Sequence, residues 1–284
     1  MVRRILILGA TGMLGQSVTR SLARMGNQVR VLVRNREKAR QMFGNEIEIV
    51  KGNALDRESI QAALSGCDAV HLSLPQMSEL TAMQHITDLG KTNGLERITY
   101  ISATTACEAN RWYDLIDVKI RTENVLCSSG IANAIFCPTW AMETLHNFIR
   151  GNRAVVIVSK NPPLLHFIAA ADLGRMVAAS YEDNRALGKR LFVHGPESTT
   201  LPDAFKRFVK ICYPGEKITQ MKLWQAQLIA KLTGREELAD ATRLIAYFDK
   251  VGELGDPAEA NALFGAPSIT LDEWFRMQKP TVKI

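Results

Sequence analysis

Three evenly spaced glycines, in Gly9-Ala10-Thr11-Gly12-Met13-Leu14-Gly15, separate an apolar run from an amphipathic one. Residues 5–8 are continuously apolar, as a strand buried on both faces is. Residues 13–25 follow with Leu14, Val18, Leu22 and Met25 at helical spacing, and Gly26-Asn27 ends the pattern. A chain that leaves a strand tightly and begins a helix at once aims that helix's first N–H groups at an anion. Glycine suits such a turn, because a side chain would block a diphosphate or crowd the helix against the sheet. A glycine triplet alone is weak; the strand before it and the helix after it make this a dinucleotide-binding turn. Gly9, Thr11, Gly12, Met13, Leu14 and Gly15 are its candidate contacts.

The kind of dinucleotide is read at the end of the next strand, about 20 residues on, where an acid would bond a ribose 2′-hydroxyl. Here the strand at residues 29–33 runs into Arg34-Asn35-Arg36, with Lys38 and Arg40 behind. A guanidinium in that place favours a 2′-phosphate through charge-assisted bonds. Arg34 therefore points to NADP(H), while Lys38 and Arg40 read as a solvated helix start.

The elements that must position these residues alternate. Strand patterns at 47–51, 69–74, 98–102 and 132–136 are separated by helical patterns at 57–64, 79–92 and about 113–128, the first of these capped by Asp56. This alternation predicts a Rossmann-type doubly wound parallel α/β sheet over residues 1–150, with 165–195 returning to it. Strands at 153–159 and 190–193 flank a helix at 172–182. Beyond Leu201 the pattern is almost wholly helical, so residues 196–284 are expected to form a smaller, mostly helical substrate-binding lobe.

Composition excludes several classes. With 284 residues, 46% of them hydrophobic, the chain can bury a large core. Its net charge of +6 suits a phosphate-bearing ligand, but neither a basic stripe nor a reading helix for nucleic acid is present. No segment has the apolar length of a membrane span. The opening apolar run breaks after four residues into glycine, which reads as a strand and not as a signal peptide. Five scattered cysteines without a Cys-x-x-Cys pair suggest free thiols in a reducing, cytoplasmic setting. The turn lacks the Gly-Lys-Ser/Thr of a nucleoside triphosphatase. His71 lies inside a strand as a core histidine, and His85, His146, His166 and His194 show no metal spacing, so no metal is expected. Trp140, Met142, Phe148, Trp224, Tyr247 and Phe248 could line an apolar pocket or simply fill a core.

The G-x-x-G-x-x-G arrangement resembles that of the short-chain dehydrogenase/reductase superfamily, and the sequence looks most like its atypical, NmrA-like branch. Gly52-Asn53-Ala54-Leu55-Asp56 is similar to the branch's Gly-Asp-x-x-Asp segment beside the adenine. Ile101-Ser102-Ala103 ends a strand as the family's Ser-Ala does. Lys119 with Glu123 one turn on resembles the family's helix-borne lysine, and Pro138 to Glu143 its loop beside the nicotinamide. The resemblance implies cofactor contacts from Asn53, Ala54, Ser73, Lys119 and Pro138, and catalytic roles for Lys119 and Ser102. Three positions depart from the pattern: Asn53 replaces an acid, Cys137 an arginine, and Glu143 an asparagine.

In the superfamily a Tyr-x-x-x-Lys pair does the acid–base work. Four residues before Lys119 stands Leu115, which cannot transfer a proton. Tyr113 is the nearby substitute, although six helical residues would turn it about 120° from Lys119. Lys119 is either a ribose ligand or a solvated partner of Glu123; Ser102 either bonds substrate or merely ends a strand. Two functions follow. One is an NADPH-dependent oxidoreductase acting on a small apolar carbonyl, quinone or ene. The other is a non-catalytic NADP(H)-sensing regulator or interaction protein. Neither oligomeric state nor substrate identity is legible.

Overall fold

A computed structural model of the chain describes residues 3–151 and 153–278; the last residues of the expected C-terminal lobe lie outside them. The apolar runs become β1 (Arg4–Leu8), β2 (Gln28–Val33), β3 (Glu48–Lys51), β4 (Ala69–Leu72), β5 (Arg97–Ile101) and β6 (Ala132–Pro138). With a further strand at Lys189–Val193 they form one seven-stranded sheet, ordered (189–193)-β6-β5-β4-β1-β2-β3. Every pairing in it is parallel. Parallel neighbours need crossover helices, here α1 (Gly15–Arg24), α2 (Arg36–Phe43), α3 (Arg57–Leu64), α4 (Gln76–Asn93) and α5 (Asp114–Ser128). Leu8 is registered with Leu32 of β2 on one side and Leu72 of β4 on the other. The order of building reverses there, which makes the carboxyl ends of β1 and β4 the topological switch point of the sheet.

Burial explains the strands' composition. All residues of β4 and β5 are buried, as expected of strands covered on both faces. Leu6, Leu8, Ile60, Leu72, Met83, Ile86 and Tyr100 belong to one continuous core on this sheet. Helix α6 (Ala170–Ala179) packs so tightly on α1 that a Cβ on Gly174 would lie 2.7 Å from the backbone of Ser17.

The chain divides into two compact units. The first takes everything up to Pro138, then Ala170–Val193 and Asp256–Ala266. Its last segment carries the helix Ala258–Phe264, whose Phe264 ring lies 6.0 Å from that of Phe136. The second takes Thr139–Ala169, His194–Gly255 and the described residues from Pro267. The opening segment of the first unit ends at Pro138, with β6. Residues 139–169 join the second unit because Met142, Leu145, Val156, Leu165 and Phe167 share a core with Phe205, Phe208, Trp274 and Phe275.

The second unit is less helical than its sequence suggests. Ile218–Lys222 is a strand, paired in parallel with Arg153–Val158 from Ile218↔Ala154 to Lys222↔Val158. Its five mostly polar residues carry little strand signal of their own, and the neighbouring strand decides their conformation. Among the described residues no helix is long and apolar enough to cross a membrane.

Candidate active site

The glycine turn stands at the switch point. Gly9 has φ +91°, and a Cβ there would lie 2.1 Å from the carbonyl oxygen of Ser73. A Cβ on Gly15 would lie 2.1 Å from the carbonyl oxygen of Gly9, so these two glycines are fixed by backbone packing. Gly12 differs. It is exposed, and its Cβ would meet only the Gly9 carbonyl oxygen, at 3.1 Å. Backbone hydrogen bonds from Gly12 N to Gly9 O (2.9 Å) and from Ser73 N to Leu8 O (3.0 Å) hold the turn against β4. Helix α1 then starts with Leu14 at its N-cap and no side chain capping it. An uncapped helix start beside an open glycine is a cradle for an anion.

The other candidate cofactor residues reach the same edge because all the strands run in parallel. Arg34 follows β2; it is exposed and pairs with no carboxylate among the described residues. Asn35 caps α2 by accepting from Lys38 N at 2.8 Å, which leaves the guanidinium ahead of the helix. Asn53 and Ala54 follow β3, where the Asn53 side chain accepts from Leu55 N at 3.1 Å. Gly52 is close-packed, its Cβ position 2.7 Å from Leu32. Ser73 follows β4, Ser102 follows β5, and Pro138 ends β6. One edge of the first unit thus offers an anion cradle, an unpaired cation and polar loop ends, a set that fits a phosphorylated dinucleotide.

Lys119 is no solvated lysine. It lies on α5 with its side chain 9% exposed, and its Nζ is 2.7 Å from Glu79 Oε2. It also donates to the Ile101 carbonyl at 2.9 Å and sits 5.0 Å from the centre of the Tyr100 ring. An ammonium has three donors, so one remains after Glu79 and Ile101. Burial raises the Glu79 carboxyl above its ordinary pKa, and the Lys119 charge opposes that shift. The Tyr100 hydroxyl is pushed well up by burial and by the nearby Glu79 charge. Neither Glu79 nor Tyr100 was a sequence candidate. Glu79 stands in the first turn of α4 and Tyr100 inside an all-buried strand, and no spacing links either to Lys119.

Glu123, the partner that a solvated Lys119 would have had, is engaged elsewhere. Its Oε2 accepts from Arg190 Nε at 3.0 Å, and its Oε1 accepts a hydrogen bond from the Ser102 hydroxyl. Ser102 is also fixed by its backbone, donating to the Phe136 carbonyl at 2.7 Å. Cys137, in the place of the family arginine, is a buried thiol pushed up to about 12 by desolvation. Tyr113 lies just outside α5 as its N-cap, with φ −101° and ψ 114°, so the helical angle reckoned from Lys119 does not apply to it.

Other sequence candidates belong to packing. Met142 and Tyr247 are buried, and Trp140, Phe148 and Phe248 pack against the core of the second unit, while Trp224 is 60% exposed. His71 is enclosed in the first unit, and burial drives its pKa down to about 3. All five cysteines are free.

A doubly wound parallel sheet with a glycine turn at its switch point defines a Rossmann-type dinucleotide fold. The chain belongs to the NmrA-like family, whose profile matches residues 1–275. It is 27% identical over 217 residues to a phenylcoumaran benzylic ether reductase of Ginkgo biloba, covering 69% of this chain and 70% of that one. It is 25% identical to the photosystem II assembly factor Ycf39 of Synechocystis sp., covering 92% of this chain and 88% of that one. Among solved structures, an NADPH-dependent quinone oxidoreductase of Escherichia coli superposes with TM-score 0.75 at 25% identity, over 96% of this chain and 98% of that one. A triphenylmethane reductase of Citrobacter sp., crystallised with NADP(H), reaches TM-score 0.77 over 96% of this chain and 99% of that one; at 17% identity this likeness speaks to fold alone.

Proposed function

We propose that this protein is an NADP(H)-dependent reductase that delivers hydride to a small apolar carbonyl, quinone or conjugated ene. The observation that carries the reading is the carboxyl edge of the first unit, where the uncapped start of α1 with exposed Gly12 follows β1, and Arg34, unpaired among the described residues, follows the neighbouring β2. The diphosphate rests on the turn from Gly9 to Gly15, with Thr11, Met13 and Leu14 as its backbone neighbours. Arg34 takes the 2′-phosphate, Asn53 and Ala54 border the adenine, and Ser73 and Pro138 flank the nicotinamide end. Lys119, oriented by Glu79 and Ile101, gives its remaining N–H to the nicotinamide ribose. Bound NADPH supplies the hydride.

The substrate oxygen or carbanion must then gain a proton. The Ser102 proton is committed to Glu123, so Ser102 orients by accepting a hydrogen bond, and Tyr113 stands as the candidate acid. The reductases among the relatives favour turnover over NADP(H) sensing.

The test is NADPH oxidation, followed by absorbance, against a panel of quinones, enones and small apolar aldehydes. Turnover with at least one acceptor is expected, slowed by Lys119→Met and weak with NADH. Tight NADPH binding without oxidation across the panel would overturn the catalytic reading. Tyr113→Phe separates the proton sources: a loss of about a hundredfold or more assigns the acid to Tyr113, and an unchanged rate assigns it to water.

A further inference from the structure

Three side chains that the strand-end edge does not use converge within the second unit. His166 ends the strand Leu164–His166, His194 begins that unit's second segment, and Glu253 follows Gly252, the C-cap of the helix Glu236–Val251. One ligand atom from each lies within 4.8 Å of the other two. They are far apart in sequence, so no spacing rule could have joined them.

The two oxygens of Glu253 have different surroundings. Oε1 accepts from the His166 backbone N–H at 3.0 Å and from the Thr139 hydroxyl. Oε2 faces the imidazoles, 2.5 Å from His166 Nδ1 and 3.8 Å from His194 Nδ1. The two rings stack with centroids 5.4 Å apart and planes inclined by 24°. His194 Nε2 lies 3.2 Å from the Leu254 carbonyl oxygen. A carbonyl only accepts, so Nε2 carries the proton, and in the neutral ring Nδ1 presents its lone pair. That nitrogen and the Glu253 oxygen are then two acceptors at 3.8 Å, which repel unless a cation lies between them.

A ligating histidine usually donates its other N–H to a carbonyl, and a ligating carboxylate is itself held by hydrogen bonds. His194 with Leu254, and Glu253 with Thr139 and the His166 backbone, already show this outer arrangement. We propose that His166 Nδ1, His194 Nδ1 and Glu253 Oε2 form a binding site for a divalent transition-metal ion of the zinc class. Two nitrogens and one carboxylate suit zinc and its neighbours, whereas calcium and magnesium call for oxygen ligands. Three protein ligands leave a further coordination position. It lies on the side of His166, whose side chain is 39% exposed against 9% for His194 and 9% for Glu253. Ligation through Nδ1 leaves the neutral His166 ring with its proton on Nε2, so the hydrogen bond between His166 and Glu253 is exchanged for two bonds to the metal.

The test uses full-length protein stripped with EDTA and titrated with zinc chloride by calorimetry. One ion per chain and micromolar or tighter affinity are expected, with no binding of magnesium. Glu253→Gln keeps an acceptor for Thr139 and the His166 backbone, and should weaken zinc binding at least about tenfold, as should His194→Ala. Thermal melts in EDTA check that each variant folds; His194→Gln replaces the alanine variant if that one does not. Cobalt(II) should give visible bands without the thiolate charge-transfer band that Cys107 or Cys127 would produce. Absent binding, affinity unchanged in the folded variants, or a thiolate band would each overturn the proposal.

Discussion

Lys119 and Glu79 form a buried ion pair, Nζ to Oε2 2.7 Å, in which the carboxylate side chain is wholly enclosed and the lysine only 9% exposed. Glu79 already sits above its ordinary pKa because of burial, and Lys119 is the nearby charge that offsets this. Removing one partner of such a pair strands the other, at a cost of about 3–5 kcal/mol. Lys119→Met should therefore lower the unfolding free energy by roughly that much at neutral pH. Adding Glu79→Gln to it should restore a large part, since the stranded charge is gone. Urea denaturation of the two singles and the double decides this; a double as unstable as the sum of the singles would show that packing, not charge, is at stake.

Gly9 and Gly12 have similar places in the motif and opposite roles. A Cβ on Gly9 would lie 2.1 Å from the Ser73 carbonyl oxygen, at a φ of +91° that side chains rarely adopt. Gly9→Ala is thus expected to destabilise the fold by at least about 1–3 kcal/mol, because the β4 backbone must move. A Cβ on Gly12 meets only the Gly9 oxygen, at 3.1 Å. Gly12→Ala should melt close to the wild type yet bind NADPH far more weakly, because its methyl enters the space of the diphosphate. Melting curves with fluorescence titration of NADPH separate the two, and a Gly12→Ala protein that binds normally would remove the diphosphate from the turn.

Arg34 is the cofactor discriminator in the proposed function. A hydrogen bond to a charged group contributes about 1.5–3 kcal/mol. Arg34→Ala should accordingly weaken NADPH binding roughly ten- to a hundredfold while leaving NADH unchanged. Arg34→Glu should go further and favour NADH, by repelling the 2′-phosphate. Dissociation constants for both nucleotides check this, and an equal loss for the two would assign Arg34 a structural role.

The positions of the glycine turn and of Arg34 at strand ends were legible because each lies next to its own strand. Gly9 follows Leu8 and Arg34 follows Val33, so hydrophobic periodicity placed both before any fold was known. The surroundings of Lys119 were not legible. Its partner Glu79 lies on another helix, and local periodicity carries no information about which helix faces which. Sequence spacing suggested Glu123 instead, one turn along the same helix; Arg190, on the strand beside β6, occupies it. The strand Ile218–Lys222 was missed for the same reason, since its pairing with Arg153–Val158 is set by a distant partner. Tyr113 shows the smaller error of a helix boundary: one residue decides whether it stands on the face of α5 or ahead of it.

His71 gives the fold a dependence on acid that can be isolated. The side chain is fully buried in β4, and its Nδ1 lies 2.8 Å from the Thr99 hydroxyl. Thr99 in turn lies 2.8 Å from the Tyr181 hydroxyl, which donates to the Val70 carbonyl at 3.1 Å. A chain of donors ending on a carbonyl is completed when Tyr181 donates to Val70, Thr99 to Tyr181, and His71 Nδ1–H to Thr99. Nε2, which has no partner among the described residues, then keeps only a lone pair, the cheaper orphan in an apolar setting. Protonation would bury an unpaired charge, which is why desolvation lowers the pKa from 6.5 to about 3. Between those two values the unfolded chain holds a proton that the folded one refuses. The stabilisation is therefore complete above the unfolded pKa and is lost as pH falls, by about 1.4 kcal/mol per pH unit, until the folded pKa is reached. His71→Leu removes the titration and leaves Thr99 bonded to Tyr181. Urea unfolding across that window should show a slope shallower than the wild type's by about one proton, and parallel slopes would locate the acid sensitivity in another group.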